Sequence, residues 1–295
     1  MSAGLKSELC RVQTDDGLPL EGIFIPAAGP AADHPVSALL LVHGTGSNFY
    51  AGGVLERFSE QAARAGLAVL RINTRGHDLV TRISGRNFGA AYETISDCRR
   101  DLAAWLGFLA DRGHASIGLV GHSMGAVKAI YAQSLDRHPS VRCVAGISPP
   151  RFCHARLIEH PACDAFREDF RRASELVAQG KPQQLMTVTQ PLPLLLTAEG
   201  FLAKYGLHDD YDYVKYLPRL PCPSLILIGS ESVQRSPAFA GVPDDLARLL
   251  VEHPELPVTF DVIEGVDTAY SKHPDEPFLH VNRWLKIFRE INFRV

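Results

Sequence analysis

The sequence lacks the features that mark membrane, secreted and nucleic-acid-binding proteins. No apolar run reaches the ~18–20 residues that a membrane-spanning helix needs. Residues 1–11 contain no apolar core of the kind found in signal peptides. The formal net charge is only −3, so the chain has no excess of positive charge for nucleic acid or an acidic membrane surface. We therefore predict a cytoplasmic protein that binds neither nucleic acid nor a membrane.

Motifs for metals and common cofactors are also missing. None of the six cysteines belongs to a C-x-x-C pair, which argues against a zinc site or a redox motif. There is no H-E-x-x-H, no G-x-x-x-x-G-K, and no G-x-G-x-x-G after a strand. We predict no metal, no cofactor and reduced thiols. The cysteines are Cys10, Cys98, Cys143, Cys153, Cys163 and Cys222.

What the sequence does contain is an alternation of short apolar runs and longer segments of helical periodicity. This alternation predicts an α/β fold, with a mostly parallel central sheet flanked by helices on both faces. The predicted strands are residues 20–26, Ala38–Val42, 67–72, 117–120, Val141–Ile147, 224–228 and Val258–Ile263. The predicted helices are residues 51–65, 92–112, 123–137, 244–251 and 276–291.

The alternation stops between residues 151 and 220. This stretch has amphipathic helical segments with proline breaks and no clear buried strand. It is too long for a simple connection within a compact domain. We predict a core formed by residues 1–150 and 221–295, with residues 151–220 inserted after the sixth strand as a helical cap.

The most specific motif is G-x-S-x-G at residues 121–125, with Ser123 at its centre. An apolar strand precedes it and an apolar helix follows. In that context a sharp strand-to-helix turn exposes the serine hydroxyl at the end of the sheet. Gly121 and Gly125 fit because side chains there would collide across the turn. Ser123 is therefore the candidate nucleophile.

A second motif, at residues 43–46, directly follows the strand Ala38–Val42. The loop at this place supplies one backbone N–H to an oxyanion hole, and the residue after the nucleophile supplies the other. The candidate donors are Thr45 and Met124. His43 is a pocket candidate, and we favour an orienting or packing role for it over that of a base.

These motifs resemble the α/β-hydrolase superfamily over nearly the whole chain. Residues 73–78, Tyr92 and Glu93 with Asp97, and residues 121–125 are similar to a bacterial and fungal group of serine hydrolases. That group resembles esterases acting on small acyl esters. The resemblance implies a cap between the sixth and seventh strands, which agrees with the interpretation of residues 151–220.

Two positions depart from the pattern of that superfamily. The triad order is serine, then an acid, then histidine. The acid should follow strand 224–228, where Ser232 stands at the expected position. The histidine should follow strand Val258–Ile263, where Thr268 stands instead. Because a serine hydroxyl needs a base to take its proton, both departures bear on catalysis.

Other side chains are candidates to replace the missing pair. Glu231 becomes the acid if its loop shifts by one residue. His273 becomes the base if its loop swings toward Ser123, and His122, a weaker candidate, packs under the elbow or acts as base. Asp267 is a further carboxylate. Ser232 and Thr268 themselves remain pocket candidates.

Three classes of function stay open. The first is a serine hydrolase with an atypical triad, acting on a small acyl ester, thioester or lactone. The second is a non-hydrolytic enzyme on the same fold, such as a lyase, cyclase or acyltransferase. The third is a ligand-binding protein without catalysis. In each class the predicted partner is a small molecule, and the sequence does not indicate an oligomeric state.

Overall fold

The computed structural model describes residues 4–29, 34–161 and 164–292, so Cys163 lies outside the described residues. Its centre is an eight-stranded sheet. The strands are β1 (Glu8–Gln13), β2 (Pro19–Ile25), β3 (Ala38–Val42), β4 (Ala68–Ile72), β5 (Ile117–His122), β6 (Val141–Ile147), β7 (Ser224–Gly229) and β8 (Val258–Ile263).

The sheet has the strand order β1-β2-β4-β3-β5-β6-β7-β8. β2 is antiparallel to both β1 and β4, and all the other neighbouring pairs are parallel. In β3 every residue is buried, as expected of a strand covered on both faces. Leu41 of β3 is the register partner of Arg71 in β4 and of Val120 in β5.

Helices cover both faces of the sheet. They are α1 (Val54–Arg64), α2 (Cys98–Asp111), α3 (Met124–Asp136), α4 (His154–Glu159), α5 (Asp164–Ala178), α6 (Ala198–Tyr205), α7 (Ser230–Arg235), α8 (Val242–Glu252) and α9 (Glu276–Asn292). Leu40 of β3 packs in a core with α2 and α3, whereas Leu39 and Leu41 pack in a second core with α1 and α9. The predicted α/β architecture is confirmed.

Residues 151–220, which we call the insertion, contribute no strand to the eight-stranded sheet. They hold α4, α5 and α6 together with a hairpin of two short strands, Leu185–Val188 and Leu194–Thr197. The sequence predicted helices in this insertion, and the hairpin was not predicted. Each hairpin strand has four residues and pairs with the other alone, so neither produces the long buried run by which sheet strands are recognised.

Three further elements were not predicted: β1, α7 and a small hairpin over Thr81–Ile83 and Arg86–Phe88. β1 is an edge strand with a single buried residue, so its sequence carries little apolar signal. Within the described residues, no helix is both long and apolar enough to cross a membrane.

Arg75, which follows β4, forms hydrogen bonds to α2 and to the turn between β1 and β2. The Arg75 backbone N–H and guanidinium donate to the buried carboxylate of Asp101 in α2, at 2.8–3.0 Å. The guanidinium also donates to Asp16, in the turn between β1 and β2, at 3.0 Å. These hydrogen bonds to Arg75 lower the pKa of Asp16 to about 2 from 3.8, although partial burial acts in the opposite direction.

Acid should therefore weaken the fold through Asp16. Its folded pKa lies below its unfolded value, so its contribution to stability is complete above about pH 4 and is lost as the pH falls toward about 2. Asp16→Asn should lower stability at neutral pH and flatten the decline of stability over that range, as measured by urea unfolding at several pH values. Asp15→Asn is the matched control, because Asp15 is largely exposed and contacts Arg100 alone among the described residues. Equal pH dependence in the two variants would contradict the assignment.

Candidate active site

The turn between β5 and α3 holds Ser123 in a strained backbone conformation. Its φ is 54° and its ψ is −124°, in a region that residues other than glycine rarely adopt. The Ser123 N–H donates to the Ile147 carbonyl of β6 at 2.8 Å, which anchors the turn to the sheet. A strained serine between a strand and a helix is the geometry of a nucleophile elbow.

The two flanking glycines allow this turn to form. A Cβ on Gly121 would lie 2.2 Å from the Gly125 carbonyl oxygen. A Cβ on Gly125 would lie 2.1 Å from the Val42 carbonyl oxygen at the end of β3. Since no real Cβ approaches a carbonyl so closely, the turn and its packing on β3 require glycine at both positions.

The loop after β3 packs directly on the nucleophile. A Cβ on Gly44 would lie 3.1 Å from the Ser123 Cβ and 3.6 Å from its Oγ. Thr45 follows in this loop, and its N–H donates no backbone hydrogen bond among the described residues. Met124 is the first residue of α3, so its N–H has no acceptor within the helix. Two N–H groups without backbone acceptors are thus placed next to Ser123. One belongs to Met124, the next residue in the chain, and the other to Thr45 in the loop after β3.

His43 supports this loop from beneath. It is buried, with Nδ1 donating to the Gly44 carbonyl at 2.8 Å and Nε2 accepting from the Thr74 N–H at 3.1 Å. Burial, helped by the nearby charge of Lys128, lowers the pKa of His43 to about 3, so the ring is neutral. Both of its nitrogens are used in holding backbone, which fits an orienting role.

The positions expected to carry the acid and the histidine are brought together by the fold. The hydroxyls of Ser232 in α7 and Thr268 in the loop after β8 lie 2.8 Å apart. This distance is that of a hydroxyl–hydroxyl hydrogen bond. An acid and an imidazole at these two positions would be in contact with each other. The hydroxyls of Ser232 and Thr268 are neutral instead, and neither can take a proton from serine near pH 7.

His122 lies beside this hydroxyl pair. Its Nε2 donates to the Thr268 carbonyl at 2.8 Å, which leaves Nδ1 as an acceptor in the neutral ring. Burial lowers the pKa of His122, whereas the hydrogen bond to Thr268 raises it less. Among the residues that the structure describes, His122 is the one histidine that lines the cavity at Ser123.

The other acid and base candidates have their own partners or lie at the surface. Glu231 forms ion pairs with Arg235 at 2.9 Å and Lys272 at 3.4 Å. Asp267 accepts from the Ser271 N–H and hydroxyl. His273 is exposed in the turn before α9. None of these three candidates lines the cavity at Ser123.

A cavity of about 440 Å³ opens beside Ser123. Its volume is within the range of small-molecule sites. One wall comes from residues 44–55, which run from the oxyanion loop into α1, and the opposite wall comes from Leu192, Pro193 and Leu194 of the insertion. Ala269, next to Thr268, also reaches the cavity.

Sequence reasoning missed Arg71, which lines the same cavity from β4. The signal was present, since an arginine interrupts the apolar run of residues 67–72. Arg75, by contrast, is held by Asp16 and Asp101 and does not line this cavity.

The site can therefore bind a small carbonyl compound beside a serine hydroxyl. The N–H groups of Thr45 and Met124 are the donors available to an oxygen that becomes negative during attack. The Ser123 hydroxyl itself has no hydrogen-bond partner within residues 4–29, 34–161 and 164–292. Ser232 and Thr268 stand at the positions where the sequence comparison places an acid and a histidine.

Comparisons with known proteins agree with this architecture. A family model described as the alpha/beta hydrolase family matches residues 39–280. No match was found among curated proteins. Several solved structures superpose on almost the entire chain, and at their sequence identities the likeness is one of fold.

Three of these structures illustrate the likeness. An alpha/beta hydrolase from Penicillium sp. sh18 has a TM-score of 0.69 and 14% identity, covering 97% of this chain and 99% of its own. An esterase from Pyrococcus furiosus has a TM-score of 0.62 and 18% identity, covering 96% and 91%. Est1E from Butyrivibrio proteoclasticus, solved with ferulic acid bound, has a TM-score of 0.64 and 15% identity, covering 96% and 99%.

Proposed function

Because the chain belongs to the alpha/beta hydrolase family, we propose that it acts on a small acyl ester, thioester or lactone through Ser123. The observation that carries this proposal is the strained elbow, which holds Ser123 at a cavity under the Gly44 loop. The substrate carbonyl oxygen binds between the N–H groups of Thr45 and Met124. Attack by Ser123 then builds negative charge where these donors stabilise it.

The least supported step of this reaction is the removal of the hydroxyl proton of Ser123. The hydroxyl pair of Ser232 and Thr268 accepts no proton at neutral pH, and His273 and Glu231 do not line the cavity. We propose His122 as the replacement base, since its Nδ1 is unprotonated and its ring lines the cavity. Without a carboxylate to stabilise its charged form, His122 is a poor base, so reaction is restricted to activated acyl groups.

In this proposal, the insertion acts as a cap over the cavity. Leu192, Pro193 and Leu194 form the wall of the cavity opposite the oxyanion loop. Residues 1–150 and 221–295 then act as the catalytic core, and residues 151–220 determine the shape of the acyl pocket. The predicted cytoplasmic location fits buried cysteines that stay reduced.

Labelling with a fluorophosphonate, detected by intact mass, tests the nucleophile. We expect one slow adduct on the wild type and none on Ser123→Ala, because the elbow serine is the reacting group. Ser232→Ala is the matched control and should still be labelled. A wild type that stays unlabelled at high reagent concentration would contradict the assignment of Ser123.

The same assay tests the base. His122→Asn should slow labelling about tenfold or more, because the proton acceptor is lost. His273→Asn should leave the rate unchanged, since His273 is exposed and does not line the cavity. If His273→Asn slows labelling and His122→Asn does not, the proposed roles are reversed.

One observation favours a second candidate function. The hydroxyls of Ser232 and Thr268 form one hydrogen bond with each other, so the places of the acid and the histidine are filled by a neutral pair. A lyase, a cyclase, an acyltransferase or a ligand-binding protein would use the cavity and the oxyanion donors in this state. Turnover that survives Ser123→Ala would support a non-hydrolytic enzyme, whereas saturable ligand binding with neither labelling nor turnover of the wild type would support a ligand-binding protein.

A further inference from the structure

Arg71 is a buried charge that the proposed reaction leaves unused. It lies in β4, and 8% of its surface is exposed. Its Nη2 donates to the Ala51 carbonyl at 2.5 Å. Within the described ranges of the chain, no carboxylate lies at ion-pair distance from it. A buried guanidinium without a carboxylate partner is unusual, because removing a charge from water is costly unless the charge is paired.

Arg71 remains charged although it is buried. Burial lowers its pKa, and the more distant carboxylates of Glu56 and Glu60 act in the opposite direction. An arginine side chain does not lose its proton in proteins. Since one hydrogen bond to Ala51 uses one of five N–H groups, the guanidinium retains donors for a ligand.

Arg71 and Ser123 face the same cavity. Their strands, β4 and β5, lie on either side of β3, so they are two strand spacings apart, or about 10 Å. Arg71 is also offset from Ser123 along the strands, because its register partner on β3 pairs with Val120, three residues before Ser123. Since both residues line one cavity, a single ligand can contact both groups. Leu192 and Leu194 of the insertion, together with Val54 and Leu55, add apolar surface to this cavity.

The start of α1 also lies at this cavity, and it brings both its N-terminal N–H groups and the Glu56 carboxylate, which lies close to Gly52. Gly52, Gly53, Val54 and Leu55 all line the cavity. Gly53 is the N-cap of α1, with no side chain to accept hydrogen bonds from the first turn. The free N–H groups of a helix N-terminus attract anions. A guanidinium and a helix N-terminus thus meet in one end of the cavity.

We infer that the substrate carries a carboxylate, which binds Arg71 and the first N–H groups of α1 while its acyl carbonyl lies at Ser123. The apolar walls between the two ends fit a short hydrocarbon chain. The substrate class is therefore a monoester of a short dicarboxylic acid, or a lactone that carries a free carboxylate. This inference rests on the proposed function for the substrate's acyl carbonyl at Ser123, and it adds a carboxylate at the other end of the substrate.

Binding to a protein that cannot be acylated separates the two proposals. In the Ser123→Ala variant, ligand-observed NMR titration compares the monomethyl esters of succinic, glutaric and adipic acids with their dimethyl esters. We expect at least one monoester to bind about tenfold or more tightly than its diester, because a charge-assisted hydrogen bond replaces a neutral contact. Added salt should reduce this preference.

Variants of Arg71 complete the experiment. Arg71→Met should abolish the preference for the monoester. If Arg71→Met does not fold, Arg71→Lys should reduce the preference severalfold, because the planar fork of donors is lost. Equal binding of monoesters and diesters, or an unchanged preference in the folded variants, would overturn the inference. Since the test does not use acylation, a failure of Ser123 as nucleophile would leave this result interpretable.

Discussion

Combining Ser232→Asp with Thr268→His should raise kcat/KM for p-nitrophenyl acetate by about 10²–10³-fold. The fold already places these two side chains 2.8 Å apart at the positions of an acid and a base. Ala269, next to Thr268, reaches the cavity that holds Ser123, so an imidazole at position 268 has space on that side. The carboxylate at position 232 would orient that imidazole and stabilise its charged form.

Single variants and a third substitution provide the controls. Ser232→Asp alone should bring no gain, because a carboxylate without an imidazole cannot activate the serine. Thr268→His alone should bring a smaller gain than the double variant. Adding Ser123→Ala to the double variant should remove the gain. A folded double variant with unchanged esterase activity would show that Ser123 does not point toward position 268.

Glu93→Gln should destabilise the protein by about 3–5 kcal/mol, because it leaves buried positive charge without its partner. Glu93 forms an ion pair with Lys128 in α3, and both side chains are almost completely buried. Lys204 of α6 is also buried, and burial lowers its pKa to about 8 despite the attraction of Glu93. A Cβ on Gly76 would lie 2.1 Å from a Glu93 carboxylate oxygen, so this loop closes tightly over the pair.

Urea unfolding of the wild type and of Glu93→Gln measures this effect. Glu175→Gln is the matched control, since Glu175 pairs with Arg171 on the exposed face of α5. The control should change stability by no more than about 0.5 kcal/mol, as is usual for exposed helix pairs. If Glu93→Gln changes the free energy of unfolding as little as the control does, the buried pair contributes no more to stability than an exposed pair.

The elbow and most of the sheet are predictable from the sequence because their determinants are local. The fully buried strand β3 appears in the sequence as an unbroken apolar run. Gly121 marks the turn because it contacts the backbone of Gly125 within the same motif, whereas Gly125 contacts the distant Val42 and is recognised through the motif alone. The bounds of β3, β6 and β8 match the predicted ones for the same reason.

The acid and base are less accessible to sequence reasoning because they depend on contacts between distant segments. The pairing of Ser232 with Thr268 spans 36 residues. The sequence shows that each position departs from the expected residue, but it does not show that the two hydroxyls form a hydrogen bond with each other. Likewise, the placement of His122 against the Thr268 carbonyl follows from the path of the loop after β8.

Buried charge is a second feature that the sequence does not reveal. Lys128 looks like an ordinary surface residue of a helix until the fold shows what covers it, and Arg71 is marked only by its place in an apolar run. The partner of Lys128 comes from a loop before α2, and no motif links the two. Burial of a charged side chain is a property of the assembled layers, not of local periodicity.

The common register partner of Arg71 and Val120 on β3 has a consequence for ligand selection. The backbone of Arg71 is held at a separation from β5 that is set by two ladders of backbone hydrogen bonds, which side-chain substitutions do not alter. Changes in the insertion can therefore widen or narrow the cavity, but they leave the spacing between the two strands intact. In the proposed binding mode, selection by ligand length thus depends on the sheet, whereas selection by ligand width depends on the insertion and can change on its own.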